Sequence, residues 1–577
     1  RTHSVQVLRD FLCVTCVTSF CSMVEVKQVS PTSYGAPDVD LEFVGTLGRE
    51  KHQETCSSPP ASSDSHGSES DVSRLGSHTS SPKLLDPTED QEWQTAAANF
   101  MSTLQPTRDE VLRGVAAFHV LKDFGKIFRR RHDDYGKLYG LGRQMEWIDE
   151  FWSHSWKGSP LAKIWLFLML KNGIAALVIG SCIALILAIL SFMRYLPGYN
   201  KVPSYVEPEF AGEYHFAPWA NLGGNLSALV TLLLWRSRRQ IFIDLVCIHQ
   251  QDPQLKAEGL LNLGAFLNRS KQLIVACDNI YWTRAWCVFE VAAFLKSHGN
   301  SAKIVIRPTA LAGVTFYFVL STSSLIMFEV LMPAGGIFLF VRLLYLLHFA
   351  LLAYVMREYW HMFFETEEQI RNFRWEAATC NCCERNHVSH DGKDLPCDKD
   401  VLGECISNWF GSIENFNQTV QTQVLSMYQR QLGRSPLGYG WLVAISTCFL
   451  WGSLDHAASY GPDGLRLSLL PLILFLPMCL WVNPASWYVY SAVCRWYAKQ
   501  LRIQTRPVRI LFSVLVLWVL TWNGLLPQIY NWSLLQLYPD TDPILRRIIF
   551  AISTLPFCVI AICFLGRSCQ EGAVNAE

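Results

Sequence analysis

The densest group of chemistry-bearing side chains lies between residues 380 and 405: Cys380, Cys382, Cys383, His387, His390, Cys397 and Cys405. Thiolates and imidazoles this close together can enclose a tetrahedral zinc ion, with Cys380, Cys383, His387 and Cys397 as the preferred four. The spacing is a Cys-x-Cys-Cys rather than two Cys-x-x-Cys pairs, so reduced cysteines that pack a core are the competing reading. Disulfides are not expected on a cytosolic face. A second group centres on Asp244, at the end of an apolar run (QIFID) and followed by His249, Gln250 and Asp252. An acid just past a strand sits where open α/β sheets bind ligands; the same acid could instead cap the next helix. Cys247 and His249 are too small a set for a metal or a Cys/His nucleophile. The sequence contains no Gly-rich phosphate loop and no GxSxG elbow.

Strands and helices alternate around Asp244. Residues 148–156 (IDEFWSHSW) read as a strand and a polar turn, 240–246 (QIFIDLV) as a second strand, and 255–270 as a helix with Leu260, Leu263 and Leu267 at helical spacing. Residues 273–277 (LIVAC) read as a buried strand, 285–297 as a helix and 303–306 (KIVI) as a closing strand. That alternation favours a parallel sheet with helices on both faces.

Between and beyond these pieces the chain is apolar. Of 577 residues only 17% are charged, with 49 Lys+Arg against 49 Asp+Glu, while 50% are hydrophobic, including 20 Trp and 33 Phe. A neutral, charge-poor chain is not a nucleic-acid binder by bulk electrostatics, and membrane lipid is the expected surrounding. Eight segments approach the roughly 20 apolar residues that a bilayer crossing needs: 173–192, 217–235, 309–328, 337–356, 437–454, 467–483, 510–529 and 548–566, the fifth thinned by Gly438, Gly440 and Gly452. Basic residues at 235–239 (WRSRR), Arg357, and Lys499, Arg502 and Arg506 fall on one face, with Arg546 and Arg547 arguing the other way. The positive-inside bias places both termini and the segments 236–308 and 357–436 in the cytosol. Which membrane is involved stays open; the sequon at Asn531 lies close to the bilayer on the opposite side. Arg342 and His348 lie inside the fourth span, as a conduction or transport site would require, although Arg342 can also snorkel or pair with Glu329. Residues 406–427 read as amphipathic helices lying against the membrane region. Residues 1–90, rich in Ser and Pro, read as a disordered arm, with no convincing signal peptide, and 91–145 as a cytosolic helical segment.

The α/β pieces resemble the Toll/interleukin-1 receptor (TIR) family. The matching residues are FWSHSW (151–156) for the first strand, FID (242–244) for the second, LIVACDNIY (273–281) for a central strand, and RAWCVFEV (284–291) for a helix in which the family writes Trp-Cys followed by Glu. FIDLVCIHQQD (242–252) is also similar to the signature of fungal heterokaryon-incompatibility domains, and similar soluble-plus-membrane chains occur in protists. The resemblance implies a split TIR-like domain, 146–162 and 236–308, interrupted by a transmembrane hairpin over 163–235. A second hairpin (309–356), the Cys/His-containing helical segment (357–436), a four-span region (437–567) and a cytosolic tail (568–577) complete the expected organisation. In enzymatic members the helix Glu promotes loss of nicotinamide from NAD. That position here is Glu290, with Ser153, Asp244, Trp282 and Trp286 as candidate NAD-binding groups. A partly buried carboxylate stabilises the developing oxocarbenium charge; the alternative is that Trp286 packs the helix and Glu290 holds a local network. Many relatives use the fold only to assemble. The expected function is therefore a membrane-anchored signalling or scaffold protein whose TIR-like domain forms homo-oligomers and hydrolyses NAD in its enzymatic form; the alternative is a channel or transporter with a regulatory TIR-like domain.

Overall fold

The computed structural model describes residues 87–129, 135–198, 200–201, 215–331, 338–388, 397–500 and 541–567. The expected arm, the seventh span at 510–529, the C-terminal tail and His390 fall outside these residues, or nearly so: a helix, α1 (Pro87–Ser102), already begins within the last residues assigned to the arm.

A six-stranded mixed sheet forms the centre of the non-membrane part. Its strands are β1 (Arg113–Ala116), β2 (Arg143–Gln144), β3 (Glu150–His154), β4 (Gln240–Phe242), β5 (Leu273–Cys277) and β6 (Ile304–Pro308), in the order β2-β1-β4-β3-β5-β6. The run β4-β3-β5-β6 is parallel, with Phe151 opposite both Phe242 and Leu273, and Val275 opposite Ile306. β1 joins antiparallel to β4 through Val115 and Ile241, and β2 antiparallel to β1. The expected parallel sheet is thus correct for four strands and incomplete at one edge. The segment 91–145, expected to be helical, supplies that edge: β1 and β2 are too short to announce themselves, and their pairing is specified by long-range partners. β5 is buried at every residue, as a central parallel strand covered on both faces must be. At the opposite edge, Gln431 donates to the Ile304 carbonyl (2.8 Å) and accepts from the Ile306 amide (3.0 Å). It thereby satisfies backbone groups that an open edge strand would leave unpaired.

The chain leaves β3 through one unbroken 33-residue helix, α2 (Pro160–Phe192), started by a Ser159 cap and Pro160 in the first turn. At 1.5 Å per residue α2 is roughly 50 Å long. Its first three turns belong to the sheet domain: Ile164, Leu166, Phe167 and Leu168 are buried, and Lys171 pairs with Glu150 of β3 at a site where both side chains are almost completely enclosed. Trp152 Nε1 donates to the same carboxylate at 3.0 Å. From Gly173 onward the exposed face is apolar (Ile174, Val178, Leu185, Ile186, Ile189), as a lipid-facing helix requires. The expected first span is therefore the second half of this helix, and its first half takes the place of the helix that follows the first strand.

α2 returns through α3 (Trp219–Leu234), and the two meet along small residues. Ala176, Gly180, Ala184 and Ala188 repeat every four residues on the buried face of α2. A Cβ added at Gly180 would lie 2.9 Å from both Ala228 Cβ and the Gly224 carbonyl, which is the close approach that small residues permit between membrane helices. α3 has no side-chain cap of its own. Asp455 supplies one from another helix, accepting from the Ala220 and Asn221 amides at 2.6 and 2.9 Å.

Further along come α4 (Ala285–His298), α5 (Ala310–Leu331), α6 (Phe338–Arg371), α7 (Asn381–Glu384), α8 (Asp398–Phe410), α9 (Thr447–Ser459) and α10 (Pro543–Arg567). Among the described residues four helical stretches are long and apolar enough to cross a membrane: Pro160–Phe192, Ala310–Met327, Pro462–Trp496 and Pro543–Leu565. The expected second span, α3, is apolar but shorter. The expected fifth is divided at Ser446 between a helix at Tyr439–Ile445 and α9. The expected fourth lies within α6, which continues well past the apolar part. There Tyr359 Oη donates to the Leu432 carbonyl, and Phe363 stacks on Tyr428.

One hydrophobic core joins α1, the sheet and residues 357–436. The amphipathic helices after residue 406 therefore pack against the sheet domain as well as α6. Trp409 meets Phe289 of α4 and donates to the Ser102 carbonyl of α1 at 2.9 Å.

Candidate functional site

The parallel strands run in the spatial order second, first, third, fourth. The chain therefore leaves β3 and β5 toward opposite sides of the sheet, and in doubly wound folds ligands settle at the carboxyl ends of such a pair. The residues just past those ends are Ser155 after β3, Asp244 after β4 and Asp278 after β5. Lys163, in the first turn of α2, donates to the Ser155 carbonyl and faces the charges of Asp244 and Asp278. Burial pushes both acids up to about 6, against the opposing pull of backbone donors and of Lys163. Ser155 Oγ and Asp278 Oδ2 are sealed from solvent without a hydrogen-bond partner.

The predicted residues divide in two. Ser153 and Glu290 come together: the Ser153 hydroxyl acts on the Glu290 carboxyl, and its Oγ lies 2.5 Å from Tyr281 Oη, which in turn donates to the Cys287 carbonyl at 3.2 Å. Cys287 Sγ approaches the His154 carbonyl at 3.6 Å, so α4 is tied to β3 along its length. Burial raises the Glu290 carboxyl well above the carboxylate range, and the nearby charge of Asp244 raises it further. Glu290 Oε2 is enclosed without a partner. Burial in this conformation therefore favours the protonated form of Glu290. Asp244 joins this network through its charge, while its own Oδ1 accepts from the Leu245 amide at 2.8 Å.

Trp286 turns to another partner, and Trp282 reaches the group only through Tyr281. Trp286 donates to Asp398 of α8 at 3.2 Å, and Trp282 packs edge-on against Tyr281 in the core. His249, Gln250 and Asp252 shape a turn: His249 Nδ1 accepts from the Asp252 amide, and Asp252 caps the helix at Pro253–Leu261. The capping role considered for Asp244 thus belongs to Asp252. His348 bonds Ser321 and Thr322 of α5 at 3.1 and 3.2 Å, joining two helices.

The Cys/His segment docks directly on the first turn of α4. The Ala285 amide donates to the Thr379 carbonyl, the Thr379 amide to the Thr283 carbonyl, and Glu384 pairs with both Arg284 and Lys157. Ligand-capable atoms of Cys382, Cys383, His387 and Cys397 all lie within 4.8 Å of one another. Cys380, chosen from the sequence for this quartet, is replaced in it by Cys382. Cys380 lies instead in a second group with Cys382 and Asp398. A hydrogen bond from Cys380 and another from Cys397 hold the Cys382 thiol far below its ordinary range.

Sequence reasoning missed Lys163, Asp278, Tyr281 and Asp398. Asp278 repeats the signal that singled out Asp244, an acid directly after a buried strand. Lys163 is the lone cation in LAKIWLFLML, and its burial marks it.

These features define an α-helical protein with helices able to span a membrane and a mixed α/β sheet packed against a Cys/His-bearing segment. No family model, no curated protein and no solved structure matches the chain.

Proposed function

We propose that the chain is a polytopic membrane protein of about eight spans, with both termini cytosolic, that serves as a signalling scaffold through self-association of a TIR-like domain. The observation that carries this reading is α2, which runs without a break from the sheet core into the apolar region. A stiff helix buried at one end beside Glu150 and Ser155 couples any tilt of the span to the strands it packs on. The order of the four parallel strands supports the doubly wound domain that the resemblance implies.

NAD hydrolysis belongs to a different state of this domain. Stabilising an oxocarbenium ion requires a negative carboxylate facing the ribose, and Glu290 is enclosed here, where burial opposes its charge. Cleavage therefore requires α4 to move off Ser153 and Tyr281, so that water and substrate reach Glu290 and ionise it. Full-length protein in nanodiscs tests both parts. Cross-linking between copies is expected to persist in Glu290→Ala, and protein that stays monomeric at every concentration overturns the scaffold. Nicotinamide release from NAD is expected only from assembled protein and is abolished by Glu290→Ala; release that survives the substitution removes Glu290 from the chemistry.

A further inference from the structure

The Cys/His cluster lies outside the sheet site, yet it is built into the joint that holds α4. Cys382 Sγ lies 3.9 Å and Cys383 Sγ 3.6 Å from Cys397 Sγ. Thiolates around a tetrahedral zinc at a Zn–S distance of about 2.3 Å stand about 3.8 Å apart. The fourth group reaches them through a tight turn: Asn386 and His387 both take left-handed backbone angles (φ 53° and 57°), and the His387 amide donates to the Cys382 carbonyl at 2.9 Å. This turn returns the His387 ring to the three thiols. The described cysteines are all free.

Cys380 and Asp398 form a second group around Cys382, and Asp398 accepts from Trp286 Nε1.

We propose that Cys382, Cys383, His387 and Cys397 bind one structural zinc ion, and that this ion locks the 375–410 segment onto the first turn of α4. Three thiolates and a neutral imidazole fill a tetrahedral shell and leave no open position, which assigns the ion a structural role. Binding joins the turn after α7 to the start of α8, and so fixes Asp398 beneath Trp286, one helical turn before Glu290. The inference is independent of NAD chemistry.

Full-length protein purified in detergent without chelator, with zinc quantified after acid release, is expected to carry one zinc per chain. Cys380→Ser keeps that content, whereas Cys382→Ser and Cys397→Ser lose at least nine-tenths of it. Because a serine ligand can also unfold the segment, cobalt(II) is added to metal-free wild-type chain as a second measurement. Thiolate-to-cobalt charge transfer and intense visible absorption are expected, with the spectrum altered in His387→Ala. Wild-type protein that holds neither zinc nor cobalt overturns the site, and so does a Cys383–Cys397 disulfide found by non-reducing mass spectrometry. Equal zinc loss in Cys380→Ser overturns the ligand set.

Discussion

The two polar groups that flank α4 differ in what satisfies them. On the sheet side Ser153, Tyr281 and Glu290 form a sealed group in which burial opposes ionisation of the acid. On the other side three thiols and an imidazole converge at half-buried positions, with a left-handed turn to bring them there. Convergence alone does not mark a site. The sheet-side groups are accounted for by hydrogen bonds that fasten a helix to a strand, apart from a single enclosed oxygen, whereas the spacing of the thiols matches a tetrahedral zinc shell. On the proposed readings, one group is a lock that opens for function and the other is a clamp that stays shut.

Removing the clamp is the largest break available. Structural zinc contributes roughly 10–16 kcal/mol in small zinc-binding peptides, more than any one side chain in the sheet. Stripping the metal with a strong chelator is expected to expose residues 375–410 to protease while the membrane helices stay protected; an unchanged digestion pattern removes the clamp from the comparison. Next in size is Glu150→Ala. It leaves Lys171 enclosed without its partner, and breaking a buried pair costs about 3–5 kcal/mol. A lowered midpoint of thermal unfolding in detergent checks it, and Lys171→Met with Glu150→Met is expected to recover most of the loss.

Smaller again is the pH dependence of the sheet side. Asp244 and Asp278 have folded values of about 6, above their unfolded value near 4. Between those limits the folded state holds more protons than the unfolded one, so stability falls as pH rises from about 4 to about 6 and levels off above. Asp244→Asn is expected to flatten this slope, with the change worth about 3 kcal/mol over the window. An unfolding midpoint that rises with pH in that range contradicts the enclosed, protonated acids.

The sheet was legible where its strands are continuous apolar runs. LIVAC became β5 at the expected residues, and β3 and β6 fell within about two residues of expectation, whereas β4 ends at Phe242, four residues before the expected 246, because a short helix begins at Asp244. The edge was not legible: RGVA carries no alternation, and Gly114 leaves no side chain to read. The continuity of α2 was signalled by Ser159-Pro160, a cap and a first-turn proline, but Lys163 and Lys171 interrupt the hydropathy that places spans. Ser153 and Glu290 were legible through a resemblance and met as expected. The choice between Cys380 and Cys382 depended on a four-residue helix and two left-handed residues, neither of which the spacing of cysteines encodes.

The smallest expected effect discriminates most finely between lock and clamp. Glu290→Gln keeps the shape of a protonated carboxyl and adds no charge. If burial holds Glu290 neutral, glutamine fills the same space without placing a charge beside Asp244. Stability is then expected to change by less than about 1 kcal/mol at pH 7, because a neutral isostere loses little hydrogen bonding. Ser153→Ala, which strips a partner from both Glu290 and Tyr281, is expected to cost more, about 1–3 kcal/mol. Equal losses would mean that the carboxyl is ionised and that its charge holds α4. The sheet side would then resemble the zinc cluster in depending on charge, and the difference between the two faces of α4 would disappear. Zinc content is the internal control, since Glu290→Gln leaves Trp286 on Asp398 and is expected to leave one zinc per chain.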